Sequence, residues 1–234
     1  MDELWVVQLG CIDYRDALAL QQRVRAARQE ELIPDVLLLL EHPRVYTRGR
    51  RSAPGELSMG EDFYRAQGIE IVEVDRGGRV TYHGPGQLVG YPMMRTGDVL
   101  AFVRTMERAI AAALADEGLE PRLRTDEGPD YTGVWVEDRK IASIGVHVAK
   151  GVTTHGLAVN VDNDLEPFGW VVACGLPGVR MTSLLEETGA APALLPCFRK
   201  RLAHRFAEAH GKRQRLVSRA RLEAALAPAV ASVA

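Results

Sequence analysis

Residues 76–87, with the sequence RGGRVTYHGPGQ, have the composition of a ligand-binding loop. Glycine permits positive φ angles and lets the main chain approach a ligand closely, while Pro85 fixes one dihedral angle. The arginines and His83 add polar groups to such a rim. We therefore expect this segment to bind a substrate. The alternative is a hairpin with a glycine-rich turn, because short glycine motifs often match by chance.

Lys140 opens an apolar run, and strand periodicity places it on the buried face. Counting in twos from this lysine gives Ala142, Ile144, Val146 and Val148. An amine on that face loses hydration, which disfavours its charged form and lets it accept a proton. The alternative is a lysine at a strand end whose amine reaches back to water.

His155 passes the same periodicity test, because it shares parity with Leu157, Val159 and Val161. We expect its ring to face the interior. Its neighbours Thr154 and Gly156 are compatible with a polar site that a ligand approaches closely. The alternative is a buried histidine that only satisfies a main-chain carbonyl.

Cys174 ends an apolar run and begins a Gly/Pro turn, which predicts an exposed thiol surrounded by main-chain N–H groups. Such groups stabilise a thiolate or the oxyanion of an attacked carbonyl. Cys11 and Cys197 lie at a strand end and in or beside a helix, where cysteine usually packs as a small apolar residue. The spacing predicts no disulfide framework and no CxxC metal site. A zinc site of His83, His155 and Cys174 has suitable ligand types, but the wide spacing disfavours it.

Composition narrows the class of protein. The 234 residues are 47% apolar, enough for a full core, and the formal net charge of −2 disfavours a nucleic-acid binder. The longest apolar run, residues 36–40, is too short to span a membrane, and the amino terminus lacks signal-peptide features. We expect a cytoplasmic protein.

Periodicity and caps predict the elements that position these groups. Strands are expected at residues 4–9, 35–41, 69–74, 88–93, 131–136, 140–148 and 153–161. Helices are expected at residues 13–30, 58–67, 98–118, 183–186 and 192–209, with an arginine-rich loop at 44–52. Grouped strands favour an α+β fold, a mixed β-sheet flanked by helices. We expect one catalytic domain at residues 1–210 and a tail or short helix at 211–234.

Four motifs together resemble the lipoyl(octanoyl) transferase family: RGGRVTYHGPGQ at 76–87, KIASIG at 140–145, THGLAVN at 154–160 and ACGL at 173–176. Their order and spacing cover most of residues 35–190, and the HGPGQ segment is highly specific. One departure is Ala173, where the family often has proline; it concerns the rigidity of the loop.

The resemblance implies a fold like that of biotin and lipoate protein ligases. It also implies that Cys174 is the acyl-thioester nucleophile, that Lys140 activates it, and that His155 supports the site. The substrate-binding residues would be Arg76, Gly77, Gly78, Arg79, Val80, Thr81, Tyr82, His83, Ser143, Ile144, Gly145, Gly156, Leu157 and Ala158. Of these, Val80, Tyr82, Ile144 and Leu157 are expected to line the acyl pocket.

The same resemblance implies partners and chemistry. The donor would be octanoyl-acyl carrier protein, and the acceptors would be lipoyl domains of 2-oxoacid dehydrogenase E2 subunits and the glycine cleavage H protein. The acyl group would pass through a thioester on Cys174 to an acceptor lysine. Thioester exchange requires no ATP, nucleotide or metal, so no cofactor is expected.

Three alternatives remain at this point. A lipoate-protein ligase would share the fold but activate its acid with ATP, for which the expected glycine loop differs from residues 76–87. An octanoyl amidotransferase would carry its cysteine elsewhere than Cys174. A non-catalytic module that binds acyl carriers or lipoyl domains would have no need of both Cys174 and Lys140.

Overall fold

The computed structural model describes residues 2–176, 178–189 and 194–230, apart from the side chains of Cys174 and residues 228–230. Its strands are β1 (Glu3–Cys11), β2 (Asp35–Glu41), β3 (Val45–Arg48), β4 (Glu70–Glu73), β5 (Thr81–His83), β6 (Gln87–Met93), β7 (Pro121–Arg122), β8 (Gly133–Val136), β9 (Arg139–Ala149), β10 (Val152–Asn160) and β11 (Arg213–Leu216). Its helices are α1 (Tyr14–Gln29), α2 (Glu61–Ala66), α3 (Val99–Ala115), α4 (Leu184–Thr188), α5 (Leu194–Ala209) and α6 (Arg219–Val230). Short 3-10 turns occur at Pro54–Glu56, Pro129–Tyr131, Glu166–Trp170 and Ala173–Gly175.

The larger sheet has eight strands in the order β11-β1-β2-β6-β10-β9-β8-β7. The pairs β11/β1 and β1/β2 are parallel, and the remaining pairs are antiparallel. The predicted mixed sheet flanked by helices is therefore confirmed.

Helices cover both faces of this sheet. Leu37 and Leu39 of β2 face a core shared with α3 and α5, whereas Leu38 and Leu40 face a core shared with α1 and α6. A strand buried on both faces is apolar throughout rather than alternating, which explains the continuous leucine run in β2. Asp98 caps α3 as predicted, with its carboxylate accepting the N–H of Ala101 at 3.0 Å.

The smaller sheet has three strands in the order β4-β3-β5. β3 pairs parallel with β4 and antiparallel with β5, so that Tyr46 lies opposite Tyr82. A separate aromatic core underlies this sheet and includes Tyr46, Tyr64, Tyr82 and Phe168. β3 occupies part of the segment predicted as an arginine-rich loop. Its four residues are too few to show strand periodicity among the flanking arginines, and pairing on both edges orders them.

The region expected as a tail or short helix holds both β11 and α6. β11 is the edge strand of the larger sheet, and Leu222 and Leu226 of α6 are buried in the core beside α1. Residues 211–230 are thus packed on the same sheet as the rest of the chain, while 231–234 lie outside the described residues. None of the described helices has the length and apolar character needed to cross a bilayer.

Candidate active site

A cavity of about 390 Å³ lies between the glycine-rich segment and strands β9 and β10. Most of the predicted site residues with described side chains line it: Lys140, Arg76, Gly77, Gly78, Arg79, Thr81, His83, Ser143, Ile144, Gly145, His155, Gly156, Leu157 and Ala158. Segments that are distant in sequence therefore meet at one space. Their roles in substrate binding stay predictions.

Val80 and Tyr82 do not line this cavity; both belong to the aromatic core under the smaller sheet. The reason is strand alternation, because Thr81 and His83 face the cavity and their neighbours face the opposite side. The expectation that Val80 and Tyr82 line the acyl pocket is corrected accordingly. Ile144 and Leu157, by contrast, lie on the cavity wall.

Lys140 is held in place within β9, and its side chain is only 2% exposed. Its main-chain N–H donates to Arg180 at 2.9 Å, and its carbonyl accepts the N–H of Thr182 at 3.0 Å. Its Nζ lies 5.3 Å from the centre of the Trp135 ring. In the part of the chain that the structure describes, no carboxylate lies within ion-pair distance of this amine. The predicted inward orientation is confirmed.

Gly133 makes room for the lysine stem. A Cβ atom at this position would lie 2.2 Å from the carbonyl oxygen of Ala142 and 2.8 Å from Cε of Lys140, and its φ is 138°. Its N–H donates to buried Glu107 at 2.9 Å. A side chain at Gly133 would therefore displace Lys140 or the strand that carries it.

The two cavity walls touch through glycines. A Cβ at Gly145 would lie 2.7 Å from the carbonyl oxygen of Gly77, whose N–H donates to Val146 at 3.0 Å. On the outer side, Gly49 packs equally tightly against Gly78. Arg76 completes the contact, because its guanidinium donates to the Thr47 carbonyl at 2.8 Å and to the Thr47 hydroxyl at 2.7 Å. Residues 76–79 are thus packed closely against β3 and β9 and form the glycine-rich wall of the cavity.

His83 presents a hydrogen-bond acceptor to the cavity. Gln87 donates its amide N–H groups to Tyr82 and Asn160, so its Oε1 is the atom that accepts the Nδ1–H of His83 at 2.7 Å. Burial, followed by the proximity of His42, holds the pKa of His83 well below its usual value. The ring is neutral, and Nε2 is its free acceptor nitrogen.

His155 lies at the other end of the cavity from Lys140. It pairs with Val146 on β9, about 20 Å along an extended strand from Lys140. Its Nε2 donates to Asp75 at 2.6 Å, while burial lowers its pKa to about 4. Its φ of 56° is rare for a residue other than glycine, and buried Gln21 accepts its main-chain N–H at 2.7 Å. His155 and Lys140 therefore cannot act on the same substrate atom.

Tyr14 and Tyr91 also line the cavity, and the sequence reasoning missed both. Nδ1 of His42 donates to Ile12 at 2.8 Å, so its Nε2 accepts the hydroxyl of Tyr91 at 2.8 Å. Burial raises the pKa of Tyr14 to about 12 and lowers that of His42 to about 4. Tyr91 lies among apolar residues in β6, so the sequence around it does not indicate a polar site. The cluster is recognised only from the contacts of Tyr91 with His42 in the folded structure.

The turn that carries Cys174 lies beside the glycine-rich wall. The main chain of Ala173–Gly175 forms a 3-10 turn, and Glu56 accepts the N–H of Val172 on its carbonyl oxygen at 3.0 Å. The Cys174 side chain lies outside the described residues, so its predicted role stays a prediction. Cys11 and Cys197 are exposed rather than packed as apolar residues. No group of three potential metal ligands occurs among the described side chains.

Comparison with known proteins identifies relatives in sequence. Residues 13–207 match the family model of the lipoyl protein ligase A/B catalytic domain. The chain is 47% identical over 193 residues to a protein named octanoyltransferase from Solibacter usitatus, covering 78% of this chain and 86% of that protein. It is 44% identical over 189 residues to an octanoyltransferase from Caldicellulosiruptor bescii, covering 79% and 82%.

Solved structures share the fold. Lipoate-protein ligase A bound with ATP superposes with a TM-score of 0.78 at 20% identity, over 99% of this chain and 95% of that one. A bipartite lipoate protein ligase from Thermoplasma acidophilum, studied with its E2 lipoyl domain, gives 0.73 at 19% identity over 100% and 93%. Biotin protein ligase from Aquifex aeolicus gives 0.50 at 12% identity over 89% and 69%. The family model and the sequence relatives each span most of the chain, and the chain therefore belongs to the lipoyl protein ligase A/B catalytic domain family.

Proposed function

We propose that this protein transfers an octanoyl group from octanoyl-acyl carrier protein to a lysine of a lipoyl domain. Relatives named octanoyltransferase, at 47% and 44% identity over most of the chain, support octanoyl transfer in protein lipoylation. The lipoate ligases resemble the chain at about 20% identity, which supports a common fold and no common activity. Lipoyl domains of 2-oxoacid dehydrogenase E2 subunits and the glycine cleavage H protein are the proposed acceptors.

The cavity is the main support for a mechanism with two catalytic residues. A buried lysine without a carboxylate partner among the described residues lines it, and Arg79 on the same wall contacts Gly175, the neighbour of Cys174. An amine at this position is suited to accept and return protons during acyl transfer. Cys174 and Lys140 are accordingly the proposed nucleophile and proton acceptor.

The first half-reaction would load the enzyme. The Cys174 sulfur forms a bond to the thioester carbonyl carbon, and the bond from that carbon to the carrier's sulfur breaks. Lys140 accepts the Cys174 proton and passes it to the departing carrier thiol.

The second half-reaction would release the product. The amine of the acceptor lysine attacks the same carbonyl carbon, the bond to the Cys174 sulfur breaks, and an amide forms. Lys140 removes a proton from the amine and returns it to the cysteine. The cavity wall of Ile144, Leu157 and the facing glycines is the proposed site of the acyl chain.

Intact-mass analysis after mixing the protein with octanoyl-acyl carrier protein, without ATP, tests this proposal. We expect a mass increase of one octanoyl group, its loss in Cys174→Ser, and its retention in Cys11→Ser and Cys197→Ser. A serine hydroxyl ionises far less readily than a thiol, so one lysine cannot activate it.

The alternatives give different results. Modification of a lipoyl domain that requires free octanoate and ATP would instead indicate a ligase. A stable complex with the carrier that never gains an octanoyl group would indicate a binding module, and an adduct that persists in Cys174→Ser would contradict the nucleophile assignment.

A further inference from the structure

The Cys174 turn has few hydrogen bonds of its own. Within it, the Gly175 N–H donates to Val172 and the Leu176 N–H donates to Ala173, each at 3.2 Å. A single 3-10 turn with these two bonds does not fix the direction of a side chain, since such short helices have poor hydrogen-bond geometry. Contacts from outside the turn must therefore position Cys174.

Glu56 contacts both the segment before the turn and the glycine-rich wall. Its carbonyl oxygen accepts the Val172 N–H at 3.0 Å. Its carboxylate is 5% exposed. It accepts hydrogen bonds from Nη1 of Arg79 at 2.9 Å and from the main-chain N–H of Val80 at 3.3 Å. One buried residue thus joins the glycine-rich wall to the segment that enters the turn.

Arg79 packs directly on the residue after Cys174. A Cβ atom at Gly175 would lie 2.0 Å from Cδ, 2.3 Å from Nε and 3.0 Å from Cζ of Arg79, and Gly175 has a φ of 70°. The missing side chain is therefore what allows the Arg79 stem and guanidinium to lie against the turn. Arg79 itself lines the cavity that contains Lys140.

We propose that Arg79, held by Glu56, is a positioning residue for Cys174: its packing fixes the 173–175 turn against the glycine-rich wall and places a positive charge beside that turn. This proposal rests on the proposed function, because it assumes that Cys174 carries the acyl group. It gives Arg79 a role toward the nucleophile in addition to the predicted contact with substrate.

The charged groups around Arg79 determine the electrostatic effect of its guanidinium on the turn. Asp130 lies 3.7 Å from Nε of Arg79 and 3.0 Å from Nη2 of Arg51, and Glu56 pairs with Arg79 as described. Two carboxylates thus face two guanidiniums, and Arg76 and Lys140 are further basic side chains on the cavity wall. Removing Arg79 would leave the buried carboxylate of Glu56 without its cation. The negative charge of that carboxylate would then disfavour the thiolate form of Cys174.

The test measures Cys174 alone, by peptide mapping after iodoacetamide alkylation across a pH series and by the rate of octanoylation. In Arg79→Met, which keeps the stem and loses the charge, we expect both rates to fall about tenfold, as for a lost charge-assisted contact. The pH midpoint of alkylation should rise. Arg79→Lys should restore part of the midpoint, and Glu56→Gln should give an intermediate effect while keeping the main-chain bond to Val172.

Arg205→Met is the matched control. Arg205 is 31% exposed against 30% for Arg79, pairs with Asp116, and lies on α5 away from the cavity. Its alkylation profile should equal that of the parent. A folded Arg79→Met that alkylates and octanoylates at the parent rate and midpoint would overturn the proposal. A parent protein that is never octanoylated would overturn the proposed function instead, and the alkylation profiles would still decide whether Arg79 acts on the thiol.

Discussion

Lys140 and the Cys174 turn belong to parts of the molecule that are built differently. Lys140 lies within the longest strand of the larger sheet, where main-chain bonds to Arg180 and Thr182 add to the β-ladder. The turn instead depends on Glu56 and on the packing of Arg79 against Gly175. The proposed base is thus positioned by strand pairing, and the proposed nucleophile by one short turn and the packing of a single side chain against it. Single substitutions should therefore disturb the second more readily.

The largest effect is expected for Lys140→Met, which tests whether this well-supported residue acts in chemistry. Methionine keeps length and apolar packing, and a buried site without a carboxylate partner favours it, so the melting temperature should stay the same or rise. Octanoyl transfer should fall by roughly 10² to 10⁴, as when a general base is lost. A variant that melts normally and turns over at the parent rate would reduce Lys140 to a structural residue.

Lowering the pH tests whether the stability of the structure around the cavity depends on neutral buried histidines. Burial lowers the pKa of His42 and of His155 to about 4, below the 6.5 of an ordinary histidine. The unfolded chain therefore binds more protons between these values, and the free energy of unfolding should fall as pH drops from about 6.5 to about 4. Each histidine contributes up to about 3 kcal/mol to this loss.

Urea unfolding at a series of pH values measures this dependence. His42→Gln should reduce the acid dependence, because His155, His83 and His210, whose pKa values are also lowered, remain, whereas substitution of the exposed His204 should leave it unchanged. A urea midpoint that stays constant down to pH 5 would contradict the assignment of neutral histidines.

Gly133→Ala tests whether close packing in the larger sheet is needed to position Lys140, with Gly128→Ala as its matched control. Both glycines have positive φ, at 138° and 104°, so both variants carry backbone strain. Only at Gly133 would the new Cβ approach the Ala142 carbonyl and the Lys140 stem; Gly128 has no atom within 4 Å. We expect Gly133→Ala to cost about 1–3 kcal/mol more in the free energy of unfolding, as overpacking does, and to slow transfer. Equal effects in the two variants would show that crowding of Lys140 does not matter.

The smallest effect is expected for Gly77→Ala, which tests whether the glycine-rich wall limits the length of the acyl chain that binds. Gly77 lacks the positive φ of Gly78, and its Cβ would lie 3.4 Å from the Val146 carbonyl, so alanine fits with little strain. A methyl group there takes the space of about one methylene, worth about 0.8 kcal/mol. Transfer rates with six-, eight- and ten-carbon donors should shift toward shorter chains. An unchanged profile in a folded variant would remove Gly77 from the acyl pocket.

The sequence predicted the regular elements well where periodicity was long. The α1, α3, β2 and β9 ranges agree with expectation to within a few residues, because each has a sustained apolar pattern or a clear cap. β3 and β11 were missed, since VYTR and RQRL are only four residues long and contain arginines, and both become strands through pairing with distant partners. Local propensity contains no information about such partners.

The candidate site divides in the same way. Lys140 and His155 were predicted to face inward by parity, and both are buried. Val80 and Tyr82 were assigned to the cavity as part of a contiguous motif, whereas strand alternation turns them away from it. Glu56, Tyr14 and Tyr91 gave no signal, because their importance depends on which segments meet in the fold.

The parallel pairing of β11 with β1 has a consequence for how the chain is made. β1, whose Leu4 and Val6 are buried in the core, precedes β11 in the chain, so one edge of β1 stays unpaired until residues 213–216 have left the ribosome. An open edge on an apolar strand can pair with another chain. A nascent chain of this protein therefore carries an aggregation hazard between the synthesis of β1 and that of β11, and truncation before β11 would make that hazard permanent.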